Sequence, residues 1–263
     1  MADMARTAAL LQGRRALVTG ASRGIGAEVA MAMARAGAAV ALTARDRGAL
    51  ERVAAAIGAE GGRALVVPAD VADPAAVARM VAAAVEALGG LDVAVNNAAW
   101  GGHPPTPLAE VGQDQFRSAL AVSMEGVFSC LRHEISAMLA SGGGAIVNMA
   151  STAGLDAVGG LAGYVSAKHG VIGLTKVAAL DYAAEGIRVN AIAPGPILTE
   201  RLEAAGEEMQ RQAGMAMPMR RIGTPAEVAA ATVWLCSDQA SYITGATLTI
   251  DGGKLAGSPP FAR

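Results

Sequence analysis

Seven short runs rich in Val, Ile, Leu and Thr alternate along this chain with longer alanine-rich stretches, and that alternation constrains the fold more than any other feature. The runs lie at 15–19, 38–43, 63–67, 92–95, 145–149, 188–192 and 247–250. Most are continuously apolar, as strands covered on both faces must be. The stretches between them predict helices at roughly 24–36, 47–57, 75–88, 113–140, 162–185, 200–215 and 226–237. Such alternation builds a parallel sheet with helices on both sides, a doubly wound α/β domain. Several boundaries are marked chemically. Asp73 followed by Pro74 reads as an N-cap and a first-turn proline, and Thr224 with Glu227 reads as a capping box. No repeat, low-complexity linker or break in composition divides the 263 residues, so a single domain, 1–263, is expected.

Composition removes several classes of function. The chain is 53% hydrophobic and 17% charged, enough to bury a large core. Its net charge of −2 offers no basic footprint for nucleic acid or an anionic membrane. Mean hydropathy is positive, but no apolar stretch reaches the ~18 residues that a spanning helix needs. Residues 1–13 include Asp3 and Arg6 and lack the pattern of a secretory signal. Cys130 and Cys236 lie far apart, and His103, His133 and His169 form no ligand pattern. The expectation is a cytoplasmic protein with reduced thiols, a small-molecule partner and no metal.

After the first run comes Thr19-Gly20-Ala21-Ser22-Arg23-Gly24-Ile25-Gly26, opening the first helix. A strand–turn–helix junction of this kind is where a dinucleotide pyrophosphate meets a helix N-terminus, in a Rossmann-type domain. Gly20 permits the tight turn, Gly24 lets the backbone approach phosphate, and Gly26 lets the helix close on the strand. The spacing is G-x-x-x-G-x-G rather than the commoner G-x-G-x-x-G.

With this spacing the chain resembles the short-chain dehydrogenase/reductase family, in the single-domain branch similar to 3-oxoacyl-carrier-protein reductases. The resemblance continues through Asn96-Asn97-Ala98, Ser151, Tyr164-x-x-x-Lys168, Pro194-Gly195, Ile243-Thr244-Gly245 and Asp251-Gly252-Gly253. It implies a nicotinamide cofactor held by Gly20, Ser22, Arg23, Gly24, Ile25 and Gly26. It further implies contacts at Asp70 and Val71 to adenine, at Asn96, Asn97 and Ala98, and from Tyr164 and Lys168. Pro194, Gly195, Ile197 and Thr199 would back the nicotinamide. Asp70, Val71 and Asn96 read equally well as strand-end turn residues.

The end of the second run bears on which nicotinamide cofactor is used. A carboxylate there accepts the ribose 2′-hydroxyl and repels a 2′-phosphate; an arginine does the reverse. In the family pattern the deciding position is Ala44, with Arg45 directly after it and Arg23 in the glycine turn. That pair points to NADP(H). Asp46 is the competing carboxylate, and it reads as the N-cap of the next helix. An NAD-dependent alcohol dehydrogenase of the same family is the alternative, followed by a non-enzymatic dinucleotide-binding protein.

Tyr164 and Lys168 stand four apart on an expected helix and so share a face. Interconverting a carbonyl and an alcohol needs a proton donor for the developing alkoxide, and the same group as base in reverse. Lowering a phenol from pKa ~10 by ~3 units takes ~4 kcal/mol. One ammonium ~4 Å away supplies ~4 kcal/mol at an effective dielectric of ~20. Ser151, at the carboxyl edge and thirteen positions before the tyrosine, matches the family's catalytic serine and would hydrogen-bond the substrate oxygen. Read plainly, it is a loop serine capping a turn.

Two positions depart from the family pattern. Ser123 replaces an asparagine that supports a water beside the lysine, and a hydroxyl bridges fewer groups than an amide. Ala99 replaces a glycine at the cofactor cleft. The tight Tyr-x-x-x-Lys spacing favours C=O over C=C reduction. A substrate lid is expected at about 200–220, carrying Met209, Met215, Met217 and Met219, with walls at 100–107 and 152–160. By resemblance a homotetramer is expected, pairing the helices that begin near 113 and 162. The tail 258–263 would reach a neighbouring subunit, or fray.

Overall fold

The computed structural model describes residues 10–99 and 104–257. Seven strands, β1 (Arg15–Thr19), β2 (Ala39–Thr43), β3 (Arg63–Val66), β4 (Val93–Asn96), β5 (Gly144–Met149), β6 (Ile187–Pro194) and β7 (Thr247–Ile250), form one sheet. Their order is β3-β2-β1-β4-β5-β6-β7, and every pairing is parallel. The helices are α1 (Gly24–Arg35), α2 (Arg47–Ala59), α3 (Pro74–Leu88), α4 (Gln113–Leu120), α5 (Gly126–Ser141), α6 (Ala162–Tyr182), α7 (Glu200–Glu203), α8 (Glu207–Met215) and α9 (Pro225–Cys236). This is the doubly wound arrangement expected from the alternation.

Successive strand residues serve opposite cores, which is why the runs are apolar throughout. On β1, Ala16 and Val18 join Val29, Met33, Leu50 and Val233 on one face. Leu17 instead joins Met80, Leu131, Ile135 and Val171 on the other. The order reverses between β1 and β4, so the connections leaving these two strands diverge and open a crevice at their carboxyl ends. Thr19 and Gly20 lie at one lip and Asn96, Asn97 and Ala98 at the other.

The marked caps behave as expected. Asp73 Oδ1 accepts from the Ala75 N–H at 2.9 Å, ahead of Pro74. Thr224 Oγ1 accepts from the Glu227 N–H, while the Thr224 N–H donates to Glu227 Oε2 at 2.8 Å. Asp46 Oδ1 accepts from the Ala49 N–H at 3.0 Å, so it is the N-cap of α2, as read.

Two elements differ from expectation. The long helix predicted over 113–140 is interrupted by a π-helical turn, Ala121–Glu125, which separates α4 from α5. The helix predicted over 200–215 is two helices, because Gly206 between them has φ of +88°, a conformation no right-handed helix contains. Both ends of the segment that carries these two helices are tied together: the Leu198 N–H donates to Gly223 O at 2.8 Å, and the Gly223 N–H to Pro196 O at 2.9 Å. Among the described residues no helix is long and apolar enough to cross a membrane.

Candidate active site

The glycine turn owes its shape to crowding as much as to flexibility. Gly20 (φ +66°) and Gly24 (φ +55°) hold left-handed backbone. A β-carbon on Gly26 would fall 2.2 Å from Gly20 O and 2.4 Å from Asn97 Nδ2. The turn is braced from β4: the Asn97 side chain donates to Thr19 O (3.1 Å) and Gly20 O (3.2 Å). The backbone N–H groups of Asn97 and Ala98 donate to Thr19 Oγ1 at 3.0 and 3.1 Å. The cradle therefore fits a phosphate-bearing dinucleotide, with N–H groups at the α1 N-terminus aimed outward. One of them, Gly24 N–H, donates to Glu200 Oε1 from α7 at 3.2 Å. Glu200, not among the residues expected at the site, thus places a carboxylate oxygen on one N–H of the turn.

Around the cradle, Ser22 and Ile25 are half-buried and Arg23 is exposed, in extended backbone just before α1. Arg45 is exposed beyond the end of β2, while Asp46 beside it is committed to its cap. Asp70 Oδ1 accepts from the Ala72 N–H at 3.0 Å, closing the turn after β3, and Val71 is buried beside Gly126 of α5. Gly195 packs on the Asp251 backbone, Ile197 is buried, and Thr199 opens α7 beside Gly24. Pro194 ends β6.

The Asn96 side chain is engaged in the interior rather than at the crevice. It is buried at 2% exposure, and its Nδ2 donates to Glu134 Oε2 (2.9 Å) and to Asn148 Oδ1 (3.0 Å). Its parity along β4 matches Ala94, which faces the α5 and α6 core, so the side chain is directed into the interior.

Ser151, Tyr164 and Lys168 come together at the carboxyl edge of β5. Ser151 Oγ accepts from the Ala153 N–H at 3.1 Å, capping a short 3-10 turn, and is also hydrogen-bonded to the Tyr164 hydroxyl. The turn-capping reading of Ser151 holds, and its hydroxyl also reaches Tyr164. Tyr164 and Lys168 lie on one face of α6, with Lys168 Nζ 5.7 Å from the Tyr164 ring centroid. That ammonium is 2% exposed and donates to Met149 O at 2.6 Å. Ser123 is fully buried inside the π turn, and Met124 beside it packs against Gly170 of α6. The π turn thus packs Ser123 and Met124 against the helix that carries Tyr164 and Lys168.

The electrostatics correct one expectation. Lys168 does not acidify Tyr164 here; burial dominates and raises the phenol above its ordinary value. The Ser151 hydrogen bond and the charge of Arg201, on the lid helix α7, act in the opposite direction. Burial lowers Lys168 to about 8. The arrangement therefore favours a protonated phenol at neutral pH, a proton donor rather than a base. Arg201 was not anticipated, since a lone cation in a lid carries no spacing signal.

In the lid, Met217 is buried and Met209, Met215 and Met219 are exposed. Met217 and Met219 line a cavity of about 290 Å³ with Pro196, Arg221, Glu227 and Gly252. Of the expected substrate walls, residues 100–103 lie outside the described residues, as does the tail 258–263. Among the described residues no group of His, Cys, Asp and Glu could hold a metal ion.

A family model described as enoyl-(acyl carrier protein) reductase matches residues 20–254. The chain belongs to the short-chain dehydrogenase/reductase family, and is an oxidoreductase acting on CH–OH and C=O groups. That family uses nicotinamide dinucleotide cofactors. The chain is similar to an A-factor type γ-butyrolactone 1′-reductase (1S-forming) of Streptomyces virginiae, at 46% identity over 93% of this chain and 96% of the relative. It is 40% identical to a cyclohexanol dehydrogenase of an Acinetobacter species, over 90% of this chain and 93% of that one. Among solved structures, levodione reductase superposes with a TM-score of 0.90 at 34% identity, over 94% of this chain and all of the other.

Proposed function

We propose that the chain is an NADP(H)-dependent ketone reductase, in which Tyr164 protonates the carbonyl oxygen as it becomes an alkoxide. The observation that carries this reading is the half-buried Tyr164, its hydroxyl hydrogen-bonded to Ser151 and the Lys168 ammonium beside its ring. When bound, the nicotinamide supplies the hydride. Ser151 hydrogen-bonds the substrate oxygen, Lys168 contributes positive charge, and Ser123 holds water beside it, in place of the usual amide. The four-residue tyrosine–lysine spacing supports C=O rather than C=C reduction. Relatives named for a lactone-side-chain reductase, a cyclohexanol dehydrogenase and levodione reductase support a cyclic or ring-bearing ketone. A panel of such ketones with NADPH, followed by loss of nicotinamide absorbance, tests the activity directly. No turnover across the panel overturns it.

The NADP(H) preference rests on Arg45 and Arg23, both exposed at the mouth of the crevice, and on the diversion of Asp46 into its cap. A charge-assisted hydrogen bond to a phosphate is worth ~1.5–3 kcal/mol. Arg45→Asp should therefore raise the KM for NADPH by roughly 10- to 100-fold while leaving NADH no worse. Equal effects on the two cofactors would remove Arg45 from this role.

Assembly as a homotetramer is supported by the outer faces of α5 and α6, where Phe128 (48% exposed), Val177 (56%) and Leu180 (83%) stand out. Exposed apolar side chains on these helices suit an interface between copies of the chain. Leu180→Glu should reduce the mass measured by light scattering from that of four chains to two or one; an unchanged tetramer would place the interface elsewhere. The two unpaired, buried cysteines, Cys130 and Cys236, fit the reducing cytoplasm.

A further inference from the structure

Glu134 lies outside the site described above, yet it has no exposed surface and sits at the head of a buried polar chain. Its Oε2 accepts from Asn96 Nδ2 at 2.9 Å, and the same nitrogen donates to Asn148 Oδ1 at 3.0 Å. Asn148 Nδ2 donates to Thr175 Oγ1 at 3.0 Å, and Thr175 Oγ1 donates to Val171 O at 2.8 Å. Asn96 and Asn148 are direct partners across β4 and β5. Four side chains from α5, β4, β5 and α6 are thereby joined in one line, and none of the four is more than 2% exposed.

Two atoms in this line have no partner, Glu134 Oε1 and Asn96 Oδ1. A buried carboxylate with a single donor would be costly, whereas a neutral acid carries an O–H. Protonation turns Glu134 Oε1 into a donor, complementary in kind to the unmet acceptor on Asn96. Among the described residues no cation acts on the Glu134 carboxyl. α3 presents Val77, Met80, Val81 and Ala84 to this core. The strands present Asn96 and Asn148, α6 presents Thr175, and α5 presents Cys130 one turn earlier.

The line ends where the chemistry begins. Asn97, next to Asn96, braces the glycine turn through Thr19 O and Gly20 O. Met149, next to Asn148, offers the carbonyl that holds Lys168 Nζ. We propose that Glu134 is a positioning residue: as a neutral acid it holds Asn96 and Asn148 in register, and so places both the glycine turn and the Lys168 ammonium. The lysine half of this proposal rests on the ketone-reductase reading above; the cradle half does not.

Burial holds the Glu134 carboxyl up at about 7, from 4.5. A raised folded-state value means that the stability contributed is whole below about 4.5 and is lost as pH rises through about 7. The test compares wild type, Glu134→Gln, which keeps a donor and an acceptor, and Glu134→Ala. Three readouts need no turnover: the infrared band of a protonated carboxyl near neutral pH, the melting temperature from pH 6 to 8.5, and the Kd for NADPH by nicotinamide fluorescence. We expect the band to vanish in Glu134→Gln. The wild-type melting temperature should fall by roughly 5 °C more than that of the Gln variant over this range. NADPH affinity should stay within about 3-fold in Gln and fall at least ~10-fold in Ala. With a ketone substrate, kcat should follow the same order, and the wild-type decline above pH 7 should be absent from Gln. Thr175→Val, which cuts the line at its far end, replaces Ala if that variant does not fold. An unchanged band, the same pH dependence in wild type and Gln, or wild-type affinity in Ala or Val overturns the proposal. A wild type that reduces no ketone overturns the ketone-reductase reading instead, and leaves the three other readouts to decide this one.

Discussion

Tyr164→Phe should lower kcat for ketone reduction by about 10²- to 10⁴-fold, the range spanned by loss of a positioned proton donor. The substitution removes one oxygen from a half-buried ring and leaves its volume nearly unchanged, so the fold should persist. NADPH affinity should remain within about 2-fold, because the glycine turn and its Asn97 braces are untouched. The pH dependence carries a second expectation. Burial holds the phenol above its ordinary 10.0, so the donor remains protonated through the neutral range and reduction proceeds there. Alcohol oxidation needs the phenolate and should rise with pH until the enzyme itself fails. Steady-state kinetics in both directions, on wild type and Tyr164→Phe, check both points. Undiminished turnover in the Phe variant, with NADPH still bound, would show that the proton comes from elsewhere.

Gly26→Ala should be the most damaging single methyl group that can be added to the cradle. The new carbon would lie 2.2 Å from Gly20 O, 2.8 Å from Gly20 C and 2.4 Å from Asn97 Nδ2. Two of these are backbone atoms, and the third is the amide that braces them, so no flexible side chain absorbs the clash. Overpacking of this kind costs ~1–3 kcal/mol where a structure can relax. Here relaxation means lifting α1 away from β1, the junction where phosphate is bound. We expect a melting temperature lower by about 5 °C or more and NADPH affinity reduced at least ~10-fold, read by thermal denaturation and fluorescence titration. Gly48, by contrast, has its nearest neighbour at 3.6 Å on α2, and Gly48→Ala serves as the control. Equal behaviour of the two variants would mean that the tight contact at Gly26 is not what shapes the cradle.

The parts of the molecule written in the sequence are those governed by local rules. Strands sealed on both faces leave apolar runs, and all seven were legible from them. Caps leave Asp, Thr and Pro at fixed offsets, and Asp73, Thr224 and Asp46 behave accordingly. Other features depend on partners distant in the chain. Nothing in Ala121–Glu125 marks a π turn, since the extra residue is accommodated by packing against α6 rather than by composition. Asn96 was legible as a strand-end residue, but its direction follows from strand parity. Its partners lie 38 and 52 positions away. Glu134 did leave a trace. It falls among Val127, Cys130, Leu131, Ile135 and Met138 on the buried side of α5, where helical periodicity allows no unpaired carboxylate. The electrostatic error at Tyr164 has a simple origin: spacing on a helix sets neighbours, while depth sets the dielectric, and only coordinates give depth.

The hydrogen-bonded pair formed by Leu198 and Gly223 has an engineering meaning. A segment that departs from and returns to the same two residues behaves as a cartridge. Its length can change at little entropic expense, because the framework already fixes where it starts and stops. Exchange of the intervening residues for those of a relative would alter which molecules are admitted while the sheet beneath stays as it is. The unit is bounded by two backbone hydrogen bonds, and an exchange that keeps Thr199, Glu200 and Arg201 leaves their contacts with the glycine turn and the Tyr164 phenol in place.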